Sequence, residues 1–355
     1  PWAYYSRWVI TVSSNIITVF FVGLAIHDLK GMKKIMNAFF LIIGITAIVG
    51  IMQYLGIEQA HLIRAYLFKG EIYAHQGRII GLAREAIEYS YTLLMGFAML
   101  LGFFLSRKDE ITTKKVQLYI FSLTIGLTLL LNGTRSAIGG IVIMILFYAF
   151  FYKNILGVDT ISLRKVTILS GVILLLVLMT LGFLLISGKE FVLSPQQILL
   201  ADPSAMGRIP RIKLALNTFF HNPLGVGGIW NYKTVFLSHL GDIGHLVSVA
   251  QQSFSSHNHI LSAFLYYGIL GGVIFIIFMV KAFNCLIANF HKTTNIYLKS
   301  IFLGGSLWLV AYSVNISFHN AGPLGGDNLF WFLVGIFSAS INISRQLKED
   351  ENSTC

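Results

Sequence analysis

The chain of 355 residues is 55% hydrophobic and only 12% charged, and its net charge at pH 7 is +11. Its mean hydropathy is +0.74. Because an ordinary soluble domain carries about 25% charged residues, this composition excludes such a domain and indicates that the lipid bilayer is the solvent. The basic residues are scattered along the chain instead of forming one stripe, which argues against a nucleic-acid partner. Cys285 and Cys355 offer neither a disulfide framework nor a zinc pattern.

Long apolar runs predict an all-α, polytopic helical membrane protein. Backbone groups in hydrocarbon must pair internally, and the runs lack the alternating pattern of a membrane barrel. A run must be long enough to cross a core of about 30 Å. Such runs lie at roughly residues 9–26, 35–57, 86–105, 116–131, 137–152, 166–187, 260–280, 299–318 and 329–344.

Lysine and arginine orient these spans, because cytoplasmic loops are enriched in both. The loops that follow spans one, three, five and seven, and the C-terminal tail, carry Lys30, Lys33, Lys34, Arg107, Lys108, Lys114, Lys115, Lys153, Arg164, Lys165, Lys281, Lys292, Lys299, Arg345 and Lys348. This alternation predicts a cytoplasmic C-terminus and an exterior Pro1, and therefore further spans before Pro1. Residues 1–355 are predicted to form a single transmembrane domain, in which residues 188–258 are a large exterior loop with short helices.

Five arginines fall on or beside the exterior face, where few are expected: Arg78, Arg84, Arg135, Arg208 and Arg211. An anion outside the membrane is the simplest explanation for them. Arg208 and Arg211 begin a predicted helix from Ser204 to Phe220, where cations are unfavourable unless an anion lies nearby. Headgroup contact by a helix on the membrane surface is the alternative. Arg135, in a tight turn after Asn132 and Gly133, either snorkels or lines a cavity.

Two polar clusters of the long loop are candidate functional sites. The stretch from Asn222 to Gly228, which contains Pro223 and three glycines, predicts a helix stop and a turn whose amides either cradle a phosphate or simply close the loop. His257, Asn258 and His259 open the seventh span, where a helix dipole favours anions and an imidazole can transfer protons near neutral pH. A zinc site at the two histidines is a weaker alternative, because no acid or cysteine cluster completes it.

The first exterior loop carries a further basic cluster. Arg78 precedes a short stretch that ends in Arg84 and Glu85, at the start of the third span. These charges either contact the anion or form a structural Arg–Glu pair that caps the helix.

These motifs resemble the O-antigen ligase and O-antigen polymerase family of bacterial membrane glycosyltransferases. The family has a His-Asn pair that enters a helix, and here His257-Asn258 is followed by nine residues, then Gly268 and Gly271. Arg208 leads into Asn222-Pro223-Leu224-Gly225-Val226-Gly227, which is similar to the family's long-loop motif. Thr134-Arg135-Ser136 and the stretch from Arg78 to Glu85 are similar to two further family elements. Ala86 and Ile212 stand where the family often has proline and tryptophan.

The resemblance implies an enzyme that transfers a glycan from undecaprenyl diphosphate to a sugar hydroxyl, with inversion and without metal or other cofactor. It implies that Arg208 and Arg135 bind the diphosphate and that His257 accepts the hydroxyl proton. Substrate-binding residues would be Arg78, Arg84, Arg211, Asn258, Glu85 and His259. The implied location is the bacterial inner membrane with a periplasmic active site, and the implied partners are a glycan or lipid-linked acceptor, a chain-length regulator and a flippase.

The sequence favours a repeat-unit polymerase over a ligase, because nothing marks a particular lipid A-core acceptor. A lipid-linked glycan transporter is the alternative from another class. A transporter predicts charges in mid-span and two matching halves, and neither pattern is visible in the sequence.

Overall fold

The computed structural model describes residues 2–67, 79–83, 85–106, 113–156, 208–228, 235, 258–319, 322–325 and 327–353. Helices make up 87% of this structure and none of the described residues forms a strand, which confirms the all-α polytopic fold. The helices are α1 (Trp2–Ala25), α2 (Leu29–Tyr54), α3 (Glu58–Leu67), α4 (Ala86–Ser106), α5 (Thr113–Asn132), α6 (Arg135–Leu156), α7 (Arg208–His221), α8 (His259–Lys292), α9 (Ile296–Ile316) and α10 (Asn328–Ser353). A short 3-10 helix covers Pro323–Gly325.

Four of these helices, α2, α4, α8 and α9, are long and apolar enough to cross a membrane. Eight of the nine predicted spans coincide with a helix. The ninth, at residues 166–187, lies outside the described residues. The chain is a multi-pass membrane protein.

Two compact units make up the chain. The first contains Pro1–Val9, Val172–Lys281 and Ile316–Gly326, and the second contains Ile10–Gly171, Ala282–Asn315 and Asp327–Cys355. Each unit has its own packing, and each carries part of the predicted site.

The second unit is built around α4. In the apolar window of this helix, 83% of the residues are buried, because α4 is hydrophobic on all sides and neighbours surround it. Gly102 on α4 faces Gly304 on α9, and a Cβ at Gly102 would lie 2.5 Å from the Gly304 Cα atom. Small residues therefore allow the two backbones to touch, as in other membrane helix pairs.

The first unit packs α7 against the start of α8. Leu214 and Ala215 of α7 are buried with Val226 and Leu265 in one hydrophobic cluster. The rings of Phe219 on α7 and Phe264 on α8 add an edge-to-face contact, with 5.9 Å between their centroids. The buried face of α7 thus holds the long-loop helix on α8.

Candidate functional site

The turn between α5 and α6 leaves Arg135 exposed on the protein surface. Gly133 takes a positive φ of 69° and ends α5, and Thr134 accepts hydrogen bonds from the amides of Ala137 and Ile138 at 3.0 and 3.2 Å. Arg135, the first residue of α6, has an exposed side chain. A guanidinium at a helix start can bind an anion together with the positive end of the helix dipole.

Asn132 fixes this turn to the first predicted exterior loop. Its side chain is fully buried, and its Nδ2 donates to the carbonyls of Ile79 at 2.7 Å and of Ala86 at 3.2 Å. Its Oδ1 accepts a hydrogen bond from the Thr134 hydroxyl. One amide side chain therefore ties together three segments that carry sequence-predicted residues.

Ser136, next to Arg135, connects α6 to the end of α9. Its hydroxyl donates to Oδ1 of Asn315 at 2.5 Å, and both side chains are buried. The position of Arg135 is therefore fixed on both sides of the residue.

Two polar side chains of α2 hold the loop of residues 79–83. Oε1 of Gln53 accepts from the amides of Ile80 at 3.0 Å and Gly81 at 2.9 Å, and its Nε2 donates to the Gly81 carbonyl at 3.0 Å. The Thr46 hydroxyl accepts from the amide of Leu82 at 2.9 Å. The loop next to Glu85 is thus fixed by buried hydrogen bonds.

Glu85 follows this loop with a half-buried side chain, and its carbonyl accepts from the amide of Tyr89 in the first turn of α4. Arg78 and Arg84 lie outside the described residues. The predicted roles of all three remain predictions.

Asp327, which the sequence did not single out, forms a buried polar contact in the same unit. Its Oδ2 accepts from the Tyr312 hydroxyl at 2.6 Å, and its Oδ1 accepts from the amide of Phe330 at 3.2 Å in the first turn of α10. Burial raises the pKa of the Asp327 carboxyl, and hydrogen bonds from Tyr312, Phe330 and Leu329 lower it by less. An aspartate directly before an apolar run was the only signal in the sequence.

In the first unit, α8 is interrupted at Gly268. This residue has φ 72° and ψ −173°, a conformation that favours glycine. The amide of Ile269, which would donate to Leu265 in an unbroken helix, donates instead to the Pro223 carbonyl at 2.9 Å. The break in α8 is therefore filled by the glycine-rich turn that follows α7.

The same turn uses its own amides to complete the contact. Four successive amides donate to carbonyls: Gly225 to Asn222 at 2.9 Å, Val226 to Leu265 at 2.9 Å, Gly227 to Tyr266 at 3.1 Å and Gly228 to Tyr266 at 3.2 Å. The interpretation of this turn as a phosphate cradle is wrong, because these amides already bind backbone carbonyls. The glycines serve close packing, since a Cβ at Gly225 would lie 2.8 Å from the Tyr267 carbonyl carbon.

The long-loop arginines lie at the start of α7. Arg208 is the first residue of α7, and the structure describes its backbone but not its side chain. Arg211 is half-buried and one turn before Ala215, which is fully buried. The face that carries Arg211 therefore points towards the protein.

Asn258 caps α8. Its Oδ1 accepts from the amide of Leu261 at 2.9 Å, and its carbonyl accepts from the amide and the hydroxyl of Ser262 at 2.9 and 3.0 Å. This is the hydrogen bonding of an N-cap asparagine. His257 directly precedes the cap in sequence and lies outside the described residues.

His259, the first residue of α8, is buried with 2% of its surface exposed. Its Nε2 accepts from the amide of Leu324 at 3.2 Å, which requires a lone pair on that nitrogen. Gly322 lies against the imidazole, since a Cβ there would be 2.7 Å from Nε2, and Phe275 makes an edge contact at 5.8 Å. The ring thereby holds the 3-10 turn on α8.

The predicted residues are distributed over the two units. Arg135 and Glu85 belong to the second unit, whereas Arg208, Arg211, Asn258 and His259 belong to the first. Among the described residues, no three His, Cys, Asp or Glu side chains lie close enough to hold a metal ion. His257, the other half of the zinc alternative, is not among them.

Comparison with known protein families identifies a match in the middle of the chain. Residues 120–276 match a family model described as O-Antigen ligase. The matched segment contains Arg135, Arg208, Arg211 and the His257-Asn258 pair, and it ends after the Gly268 break. No curated protein matches the chain.

Proposed function

We propose that this chain transfers an oligosaccharide from undecaprenyl diphosphate to an acceptor sugar hydroxyl. The match of residues 120–276 to the O-antigen ligase family, which the motifs also resemble, supports this proposal. The chain is a membrane glycosyltransferase of the O-antigen ligase or polymerase type. Its proposed activity is the polymerisation of lipid-linked repeat units. Its proposed location is the bacterial inner membrane, with the site on the periplasmic face and the C-terminus in the cytoplasm.

One observation carries the proposal most directly: Arg135 and Arg208 are each the first residue of a helix within the family domain. A cation at a helix start is unfavourable in isolation, because it meets the positive end of the dipole. A diphosphate reverses this, since it interacts favourably with the guanidinium and with the helix start. The two positions therefore support an anionic leaving group.

In the proposed reaction, an acceptor hydroxyl oxygen forms a bond to the anomeric carbon while the bond from that carbon to the diphosphate oxygen breaks. His257 accepts the hydroxyl proton, a contribution of roughly 10²–10⁴-fold. Arg208 and Arg135 stabilise the charge that develops on undecaprenyl diphosphate, with Arg78, Arg84 and Arg211 in support. Attack opposite the leaving group inverts the anomeric configuration, and the arginines supply the charge stabilisation that a metal would provide.

Asn258, Glu85 and His259 enter the proposal as residues that shape the site. Asn258 caps the helix that begins directly after His257, and so it would orient the segment carrying the base. Glu85 follows the loop held by Gln53. His259 holds the turn at Leu324 on the same helix.

A ligase is the second candidate, because the matching family is described by that activity. In a ligase, the acceptor hydroxyl belongs to a lipid A-core sugar and not to a second lipid-linked repeat. The same diphosphate site and the same base would serve both reactions.

The test is transfer by purified protein in lipid nanodiscs, with a chelator present. Incubation with an undecaprenyl-diphosphate-linked repeat alone should give a ladder of products by mass spectrometry. Product formed only after addition of a lipid A-core acceptor would show a ligase instead. No transfer under either condition, from protein that is folded by its melting curve, would reject the proposed function.

A further inference from the structure

Helix α7 exposes an apolar stripe opposite its packed face. Leu216 and Phe220 lie one turn apart on this helix, Leu224 follows in the turn after its end at His221, and their exposed fractions are 39%, 73% and 85%. The buried residues Leu214 and Thr218 lie on the other side of the helix. A stripe of this kind requires an apolar environment, because water-exposed patches of large side chains are unusual.

The stripe ends beside the outward face of α8. The hydrogen bond from the Ile269 amide to the Pro223 carbonyl, 2.9 Å long, places Leu224 next to that part of α8. Only 28% of the apolar window of α8 is buried, so most of this helix, which is long and apolar enough to cross a membrane, is exposed on the protein surface. Leu270 and Ile274, with 70% and 65% of their surfaces exposed, continue the apolar surface along α8.

A lysine lies at the far end of the stripe. Lys213, exposed on the same side of α7 as Phe220, lies at the opposite end of the stripe from Leu224. A lysine at one end of an apolar face can lie along that face with its stem and reach the headgroups with its ammonium group.

We propose that α7 lies in the membrane interface, with Leu216, Phe220 and Leu224 inserted among the acyl chains beside α8 and Lys213 among the headgroups. The occupant of the stripe is the bilayer, because the stripe continues the exposed apolar surface of α8, a helix long and apolar enough to cross a membrane. The opposite face carries Arg211, so lipid contact on one side turns this arginine towards the protein. The inference rests on the membrane location of the chain and not on the proposed activity.

Site-directed fluorescence tests this placement. In a background with Cys285→Ser and Cys355→Ser, a polarity-sensitive label is attached to Phe220→Cys or Leu224→Cys, and the protein is reconstituted in nanodiscs. Leu270→Cys, on the exposed face of α8, is the lipid control, and Glu349→Cys, exposed near the end of α10, is the aqueous control. These side chains are exposed, so the substitutions remove little packing, and Leu216→Cys replaces either test variant that does not fold.

The expected result is blue-shifted emission at positions 220 and 224, quenching by lipids with a spin label on the acyl chain as at position 270, and weak quenching by aqueous iodide. Iodide quenching at both positions equal to that at position 349 would overturn the proposal, since the stripe would then face water. Quenching by neither agent would also overturn it, since another protein surface would then cover the stripe. None of these readouts depends on glycan transfer.

Discussion

The amide of Val226 donates a 2.9 Å hydrogen bond to the carbonyl of Leu265, and this bond joins the turn after α7 to the interrupted part of α8. The two residues also share a buried hydrophobic cluster. The carbonyls of Leu265 and Tyr266 and the amide of Ile269, which the break at Gly268 releases, are therefore paired within the protein, as a membrane environment demands. The arrangement links the helix that begins at Arg208 to the helix capped by Asn258.

Replacement of Gly268 by alanine should disrupt this link. A Cβ at Gly268 would lie 2.9 Å from the Gly225 amide nitrogen and closer still to the Leu224 carbonyl. Gly56→Ala is the matched control, because Gly56 has a similar φ of 76° with nothing within 4 Å of an added Cβ. The control should cost about 1–3 kcal/mol of backbone strain. Gly268→Ala should lower the melting temperature further and abolish transfer, and equal effects of the two substitutions would contradict the packing argument.

Variants of Asn258 separate helix capping from substrate contact. Asn258→Ala should destabilise the protein by about 1 kcal/mol, because the Leu261 amide loses its acceptor. Asn258→Asp keeps that acceptor and should keep the melting temperature. If Asn258 acts only through the cap, the aspartate variant should also keep the wild-type rate of transfer. A stable Asn258→Asp protein with little activity would instead assign a catalytic task to the side-chain NH2 group.

Arg135→Ala should slow transfer with little change in stability. The side chain is exposed, so its removal leaves no buried gap. Loss of one charge-stabilising group at a leaving group is expected to lower kcat by about 10²-fold. Arg345→Ala, at an exposed position of α10, is the control and should retain wild-type kcat. Unchanged kcat in the Arg135 variant would remove Arg135 from the catalytic assignment.

Asp327 should make stability depend on pH. Burial raises the pKa of its carboxyl in the folded protein, so the neutral form is favoured by folding. The stability that the neutral Asp327 carboxyl contributes is fully present below the usual aspartate pKa of about 4, and it is lost as pH rises through the folded-state pKa. Between the usual aspartate pKa and the folded-state pKa, a rise in pH should therefore lower the melting temperature of the wild type relative to that of Asp327→Asn, which does not ionise. Parallel melting curves of the two proteins across the range would show that Asp327 titrates normally.

The sequence predicts helix positions well where an apolar run ends in polar residues. The sequence predicts a span at residues 86–105, and the structure has a helix at Ala86–Ser106. It predicts a helix from Ser204 to Phe220 in the long loop, and the structure has one at Arg208–His221. Hydrophobic length and helix-stop signals are local, so a single sequence contains them.

The sequence did not predict the contacts that position the site. Gln53 and Gly81 are 28 residues apart, Asn132 and Ile79 are 53 apart, and Ser136 and Asn315 are 179 apart. A polar side chain in an apolar run indicates that a partner exists, but it does not identify the partner. Gly268 looked like a family motif residue, and only the fold shows that its conformation admits the turn at Gly225.

The most direct test of the account measures both products of one turnover. Three proteins are compared: the wild type, His257→Ala, and the control His221→Ala, which changes an exposed histidine of α7. Each is incubated with an undecaprenyl-diphosphate-linked repeat, once alone and once together with a lipid A-core acceptor. New glycosidic bonds and released undecaprenyl diphosphate are counted by mass spectrometry. Wild type and the control should release one undecaprenyl diphosphate for each bond formed, and folded His257→Ala should form neither product. Wild-type turnover by His257→Ala, or transfer without release of undecaprenyl diphosphate, would contradict the proposed mechanism.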